Sequence, residues 1–95
     1  MRVEWSLNAL TDLEWIKEYI EADSEYYALK FVEGAFDTVL KLEDFPSIGR
    51  VVPEIGQNNI RELMYGNYRI IYSLEEKAAI ILTVVHSMRN FTGFE

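Results

Sequence analysis

Residues 78–85 read "AAIILTVV", eight consecutive positions without a charge. A strand sends successive side chains to opposite faces, so a run that is apolar at both odd and even positions needs cover on both sides of its sheet. The run is therefore expected as a central strand, and the rest of the chain has to supply its neighbours and its covering layers. Two neighbours lie just upstream. "IRELMY", residues 60–65, and "YRIIYS", residues 68–73, are separated by Gly66-Asn67, a two-residue hairpin signal. "EEK", residues 75–77, is a second tight-turn candidate that leads into the central run.

The cover is written in the first half. "RVEWS", residues 2–6, alternates and is rich in β-formers, so it reads as a short strand. Ser6 then offers a helix cap, and Ala9, Leu13, Ile16 and Ile20 follow the spacing of one helical face over about residues 7–22. Ser24 offers the next cap. Ala28, Val32, Ala35, Val39 and Leu42 repeat at steps of four and three, predicting a second amphipathic helix over about residues 25–43, widened by Phe31 and Phe36. The short connection favours an antiparallel pair. "DFPSIGRVVPEIGQNN", residues 44–59, holds both prolines and two of the five glycines, and reads as a loop. The order is β-α-α-β-β-β. That is an α+β domain: a short N-terminal strand, a two-helix antiparallel hairpin, then three antiparallel strands in one twisted sheet. At 95 residues the whole chain, 1–95, is expected to be one domain.

Charge narrows the function classes. The net charge of −7 argues against broad affinity for a phosphate backbone, which depends on Lys and Arg neutralising phosphates. The charge is unevenly spread. Residues 1–45 hold eleven acidic and four basic side chains, whereas residues 46–95 hold five of each. Four of the five arginines, Arg50, Arg61, Arg69 and Arg89, belong to the second half. The arginine-bearing end of the sheet is thus expected to face a target or partner, and the acidic helices to face solvent. No cysteine is present, which excludes disulfides, thiol catalysis and Cys-based zinc sites and permits a reducing cytoplasm. No apolar run approaches the roughly 20 residues of a membrane span, and no signal-peptide pattern opens the chain.

Few residues carry chemistry. Arg69 sits inside an apolar strand, where alternation puts it on the face of Ile71 and opposite Tyr68, Ile70 and Tyr72. A guanidinium there needs a partner, and Glu62 across the hairpin is the structural candidate. His86, the single histidine, ends the last strand; it is either a polar terminator or a general acid or base. Glu54 and Arg50 lie in the central loop, where a scaffold commonly positions functional groups. No metal-ligand spacing, phosphate loop, dinucleotide fingerprint or serine elbow occurs. Trp5, Trp15, Tyr19, Tyr26, Tyr27, Phe31 and Phe36 concentrate in the strand-helix-helix unit and are expected to be core and partner-facing residues.

Taken in order, "VEWSLNALTDLEWIKEYI", "FPSIGRVVPE", "IREL", "GNYRIIY" and "ILTVVHSMRNF" resemble the RelE/ParE superfamily of toxins from type II toxin–antitoxin modules. The resemblance runs nearly end to end and implies a cytoplasmic, cofactor-free toxin of a plasmid-stabilisation or addiction system, neutralised by a cognate antitoxin. Two mechanisms come with it. RelE-like and YoeB-like members cut ribosome-bound mRNA without metal; ParE-like members inhibit DNA gyrase and are not nucleases. On the first, slightly favoured, Glu54 would be the general base, His86 the general acid, and Arg69 and Arg89 the arginines at the scissile phosphate, with Arg50 and Arg61 meeting substrate. Departures are also plain. Ile60 and Glu62 stand where RelE-like members carry lysines, "NFTGFE" holds no counterpart of their C-terminal tyrosine, and the chain is acidic where they are basic.

Overall fold

A computed structural model describes residues 1–91. The last four residues of "NFTGFE", 92–95, lie outside the described residues. The elements are β1 (Arg2–Trp5), α1 (Leu7–Glu21), α2 (Glu25–Leu40), β2 (Arg50–Val51), β3 (Ile60–Tyr65), β4 (Tyr68–Leu74) and β5 (Ala78–His86), with a 3₁₀ turn over Lys41–Glu43 after α2. Both expected caps form: Ser6 accepts the Ala9 amide at 3.0 Å and Ser24 the Tyr27 amide at 3.2 Å. The second helix ends two to three residues before its apolar pattern does. Its last turn tightens to 3₁₀, which still buries Leu42.

The five strands form one sheet in the order β1-β5-β4-β3-β2. As expected, β5 is internal and covered on both faces. Two features were not in the sequence pattern. β1 pairs with β5 in parallel, Arg2 against Ala78 through Trp5 against Ile81, because the chain returns to the sheet only after crossing it through the helical hairpin. The central loop contributes β2, whose Arg50 and Val51 pair with Glu62 and Arg61. The hairpin between β3 and β4 turns at Gly66, whose φ of +57° suits the first position of a type II′ turn.

The helices cover one face only. Ala9, Val39, Leu42, Ile70, Tyr72, Ala79, Ile81 and Val84 form the main core between the helical hairpin and the sheet. On the opposite face Val52, Ile71 and Phe91 form a second, smaller cluster, joined by Ile55, Ile60, Leu82 and Val85. That cluster is roofed by the central loop and by the segment that follows β5. Tyr72 ties the loop down from inside the main core: its hydroxyl accepts the Gly49 amide at 3.1 Å and donates to the Pro46 carbonyl at 2.7 Å. A Cβ at position 49 would stand 2.7 Å from the Tyr72 ring and from the Glu62 carbonyl, so the close approach requires glycine.

β1 ends before β5 does, which leaves the second half of β5 as an edge. Side chains from α1 and its cap fill it. Ser6 and Asn8 donate to the Leu82 carbonyl at 3.1 and 3.2 Å, while the Asp12 carboxylate accepts the Val84 amide at 3.1 Å and the Thr83 hydroxyl. The edge is occupied without a further strand.

Candidate functional site

Alternation along β4 places Arg69 with Ile71 on the face away from the helices, as the sequence pattern predicts. Glu62 of β3 points to the same face and sits diagonally across the hairpin, since it pairs directly with Ile71 and Met64 pairs with Arg69. Arg69 Nε donates to Glu62 Oε1 at 2.7 Å, and Nη2 lies 2.6 Å from the same oxygen. The pairing expected from hairpin spacing is therefore present. It is almost fully desolvated, with side-chain exposures of 5% and 0% for the two partners.

Glu54 joins from the central loop. Its carboxylate receives both Nη1 and Nη2 of Arg69, at 2.7 and 2.8 Å, and also the Phe91 amide at 2.9 Å. Arg69 Nη1 further donates to the Arg89 carbonyl at 3.0 Å. Every nitrogen of the guanidinium is engaged. Glu62 turns its second oxygen to Arg50 Nε at 2.5 Å, which extends the chain of charges to Glu54–Arg69–Glu62–Arg50, two acids against two bases. The electrostatics follow from the geometry. The hydrogen bonds from Arg69, then that from the Phe91 amide, pull the Glu54 carboxyl down to about 2, outweighing the opposing effect of burial. The Glu54 hydrogen bonds hold the Arg69 guanidinium above its ordinary value, again against burial.

Of the six candidates from the sequence, the structure brings Glu54, Arg69 and Arg50 into one network, with Arg89 entering through its backbone carbonyl; the Arg89 residue is otherwise exposed. The other two lie elsewhere. Arg61 braces the loop, donating to the Asn58 carbonyl at 2.9 Å, the Asn58 side chain at 3.0 Å and the Gly49 carbonyl at 2.8 Å. His86 is directly opposite Tyr68 and stacks edge-on against it, with centroids 5.6 Å apart. Tyr68 packs into the main core and against Phe31 of α2 at 5.3 Å. His86 therefore belongs to the helix-covered face, and Arg69 and Glu54 to the other. The sheet stands between them. His86 Nδ1 accepts the Met88 amide at 3.2 Å, which leaves Nε2 as the protonated nitrogen of the neutral ring.

Sequence reasoning left Glu62 as a mere partner, yet it is the buried hub of the network. Asp12, the residue that closes the β5 edge, was not singled out. The lone Thr83 in the apolar run of β5 was its only outward sign. Among the described residues no group of histidine, cysteine or carboxylate side chains could hold a metal ion, and no helix is long and apolar enough to cross a membrane.

The helical hairpin thus covers one face of a mostly antiparallel sheet, and the carboxylate–arginine network lies on the other. A family model described as the ParE toxin of the type II toxin–antitoxin system parDE matches residues 3–91, and the chain belongs to that family. The fold is also found in the chromosomal ParDE system from P. aeruginosa, at 22% identity and a TM-score of 0.75, covering 90% of this chain and 95% of that one. It recurs in the toxin–antitoxin complex RelBE2 from Mycobacterium tuberculosis, at 19% identity and a TM-score of 0.55 with the same coverage. No curated protein sequence matches the chain.

Proposed function

We propose that this toxin acts as a ParE-like inhibitor of DNA gyrase, by binding and without nuclease chemistry, and that a cognate antitoxin neutralises it in the cytoplasm. One observation carries the choice between the two mechanisms. Metal-free RNA cleavage needs a base, an acid and phosphate-binding arginines around a single phosphate, within hydrogen-bond reach of it. Here the candidate base and the candidate acid lie on opposite faces of the sheet, and the candidate arginine has spent its donors on Glu54, Glu62 and the Arg89 carbonyl. A carboxyl held near pH 2 by those bonds is also a weak base for a hydroxyl proton. The family match and the acidic charge point the same way.

The test is induced expression with simultaneous readouts of transcript integrity and of gyrase-linked DNA breaks, in wild type and His86→Ala. DNA breaks with intact transcripts, little changed in His86→Ala, are expected. Rapid cutting inside translated frames that His86→Ala abolishes would restore the RNA-cleaving mechanism. Growth arrest with neither signature would sink both.

A further inference from the structure

Past β5 the chain runs on without a strand ladder, yet its backbone is held in a particular way. Arg69 Nη1 donates to the Arg89 carbonyl at 3.0 Å, and Glu54 Oε2 accepts the Phe91 amide at 2.9 Å. A carbonyl and the amide two residues later are the pair that one residue engages across a parallel ladder. Here two side chains take that part, themselves joined at 2.7 and 2.8 Å. Beside them Phe91 is only 7% exposed, packed with Val52 and Ile71, while Arg89 and Asn90 are exposed. The contacts thus recognise a stretch of backbone and one side chain. Domains that bind extended peptides divide the work in the same way, main chain for affinity and a pocket for specificity.

We propose that Glu54, Arg69 and the pocket over Val52 and Ile71 form a peptide-binding site, filled in cis by residues 89–91 and able to take the same segment from a second copy of the chain. What the site already holds fixes the occupant: an extended segment whose first two side chains face solvent and whose third is aromatic. The segment suits exchange. Upstream of Phe91 its ties are turn contacts at the end of β5: Ser87 donates to the Asn67 carbonyl at 2.8 Å and Arg89 to the His86 carbonyl at 3.0 Å. A stretch fastened by turn contacts and one buried ring opens more readily than the sheet beneath it. Residues 87–91 also carry one arginine and no acid, so a segment from a second copy is drawn to a chain of net charge −7. The tether favours the segment's own copy, since a short linker sets a local concentration of about the millimolar range. The free protein is therefore self-plugged, and the site is bared when the plug leaves.

The test titrates a capped peptide of residues 87–91, SMRNF, into full-length Phe91→Ala, whose pocket is vacated, and into wild type, with backbone NMR as the readout. Phe91→Ala is expected to bind it, with shifts at Val52, Glu54 and Ile71. Wild type, whose own segment competes, should bind at least tenfold more weakly. A peptide carrying Phe91→Ala, and one methylated at the phenylalanine nitrogen so that it cannot donate to Glu54, should each lose at least tenfold. Amide exchange on wild type needs no variant. The Phe91 amide is expected to exchange by local opening, insensitive to low urea, while internal amides of β4 and β5 exchange only with global unfolding. Exchange of Phe91 together with the sheet, no binding to Phe91→Ala, equal binding to both proteins, or indifference to either peptide change would each overturn the inference. So would a Phe91→Ala chain that fails to fold, because a removable plug is not needed for the fold. None of these readouts involves gyrase or transcripts, so failure here is separable from failure of the proposed mechanism.

Discussion

Arg69 is the residue on which the most depends, and it explains why a guanidinium is tolerated in an apolar strand. A buried charge with one partner removed is costly, about 3–5 kcal/mol, whereas the intact pair contributes little net stability. Arg69→Ala would leave Glu62 buried and uncompensated except by the exposed Arg50. We expect a loss of about 3–5 kcal/mol in urea unfolding, a large share of the roughly 5–15 kcal/mol that holds a typical domain. Loss of toxicity in that variant would therefore report unfolding rather than chemistry. Glu54 offers a gentler probe. Its carboxyl is lowered from an ordinary 4.5 to about 2, so its pairing stabilises the fold fully above about pH 4.5, and this contribution disappears as pH falls toward 2. Glu54→Gln removes it at all pH values. The stability gap between wild type and Glu54→Gln, measured by urea unfolding, should be widest near neutrality and close between about pH 4.5 and 2. A gap that stayed constant over that range would show that Glu54 is not ionised against Arg69.

At the scale of elements, the helices, the two hairpins and the internal position of β5, covered on both faces, were legible because each is a local pattern: caps, a 3.6-residue period, a Gly-Asn turn and a doubly apolar run. The Arg69–Glu62 pair was legible for the same reason, since a hairpin fixes which residues are diagonal neighbours. What could not be read depends on non-local returns of the chain. The parallel pairing of β1 with β5, the short β2 and the arrival of Glu54 at Arg69 all follow from where the chain goes after a loop. The side of His86 was hidden as well, because a bulge between Ile71 and Tyr72 shifts the β4–β5 register, and parity along β5 changes across it. Asp12 is the most consequential of these returns. It supplies from a helix the acceptor that a neighbouring strand would give Val84. Asp12→Ala should cost about 1–3 kcal/mol through the stranded Val84 amide and Thr83 hydroxyl. It should also bare the β5 edge, so that gel filtration at rising concentration shows self-association. Asp12→Asn keeps an accepting oxygen and should stay monomeric, with most of the stability retained. Association of both variants alike would point to charge, not edge protection, as the role of Asp12.

For the whole molecule, the uneven charge read from the sequence changes meaning once the contacts are known. The second half is electrically balanced, and the structure shows how: Arg50 and Arg69 are spent on Glu62 and Glu54, while Arg61 is held by loop carbonyls. Arg50 and Arg69 are thus offset by carboxylates at contact distance, and the net charge of −7 dominates at long range. An RNA strand approaching this surface releases few counterions and meets a repulsive field, whereas a protein target can match local shape and charge. Free single-stranded RNA should accordingly show no measurable binding by fluorescence anisotropy at about 0.15 M ionic strength, and none should be gained on moderate lowering of the salt. Micromolar binding that weakened steeply with added salt would reveal a cationic surface and reopen the case for mRNA as the target. Absence of RNA affinity together with a stable complex on purified gyrase would place the recognition energy in protein–protein contacts.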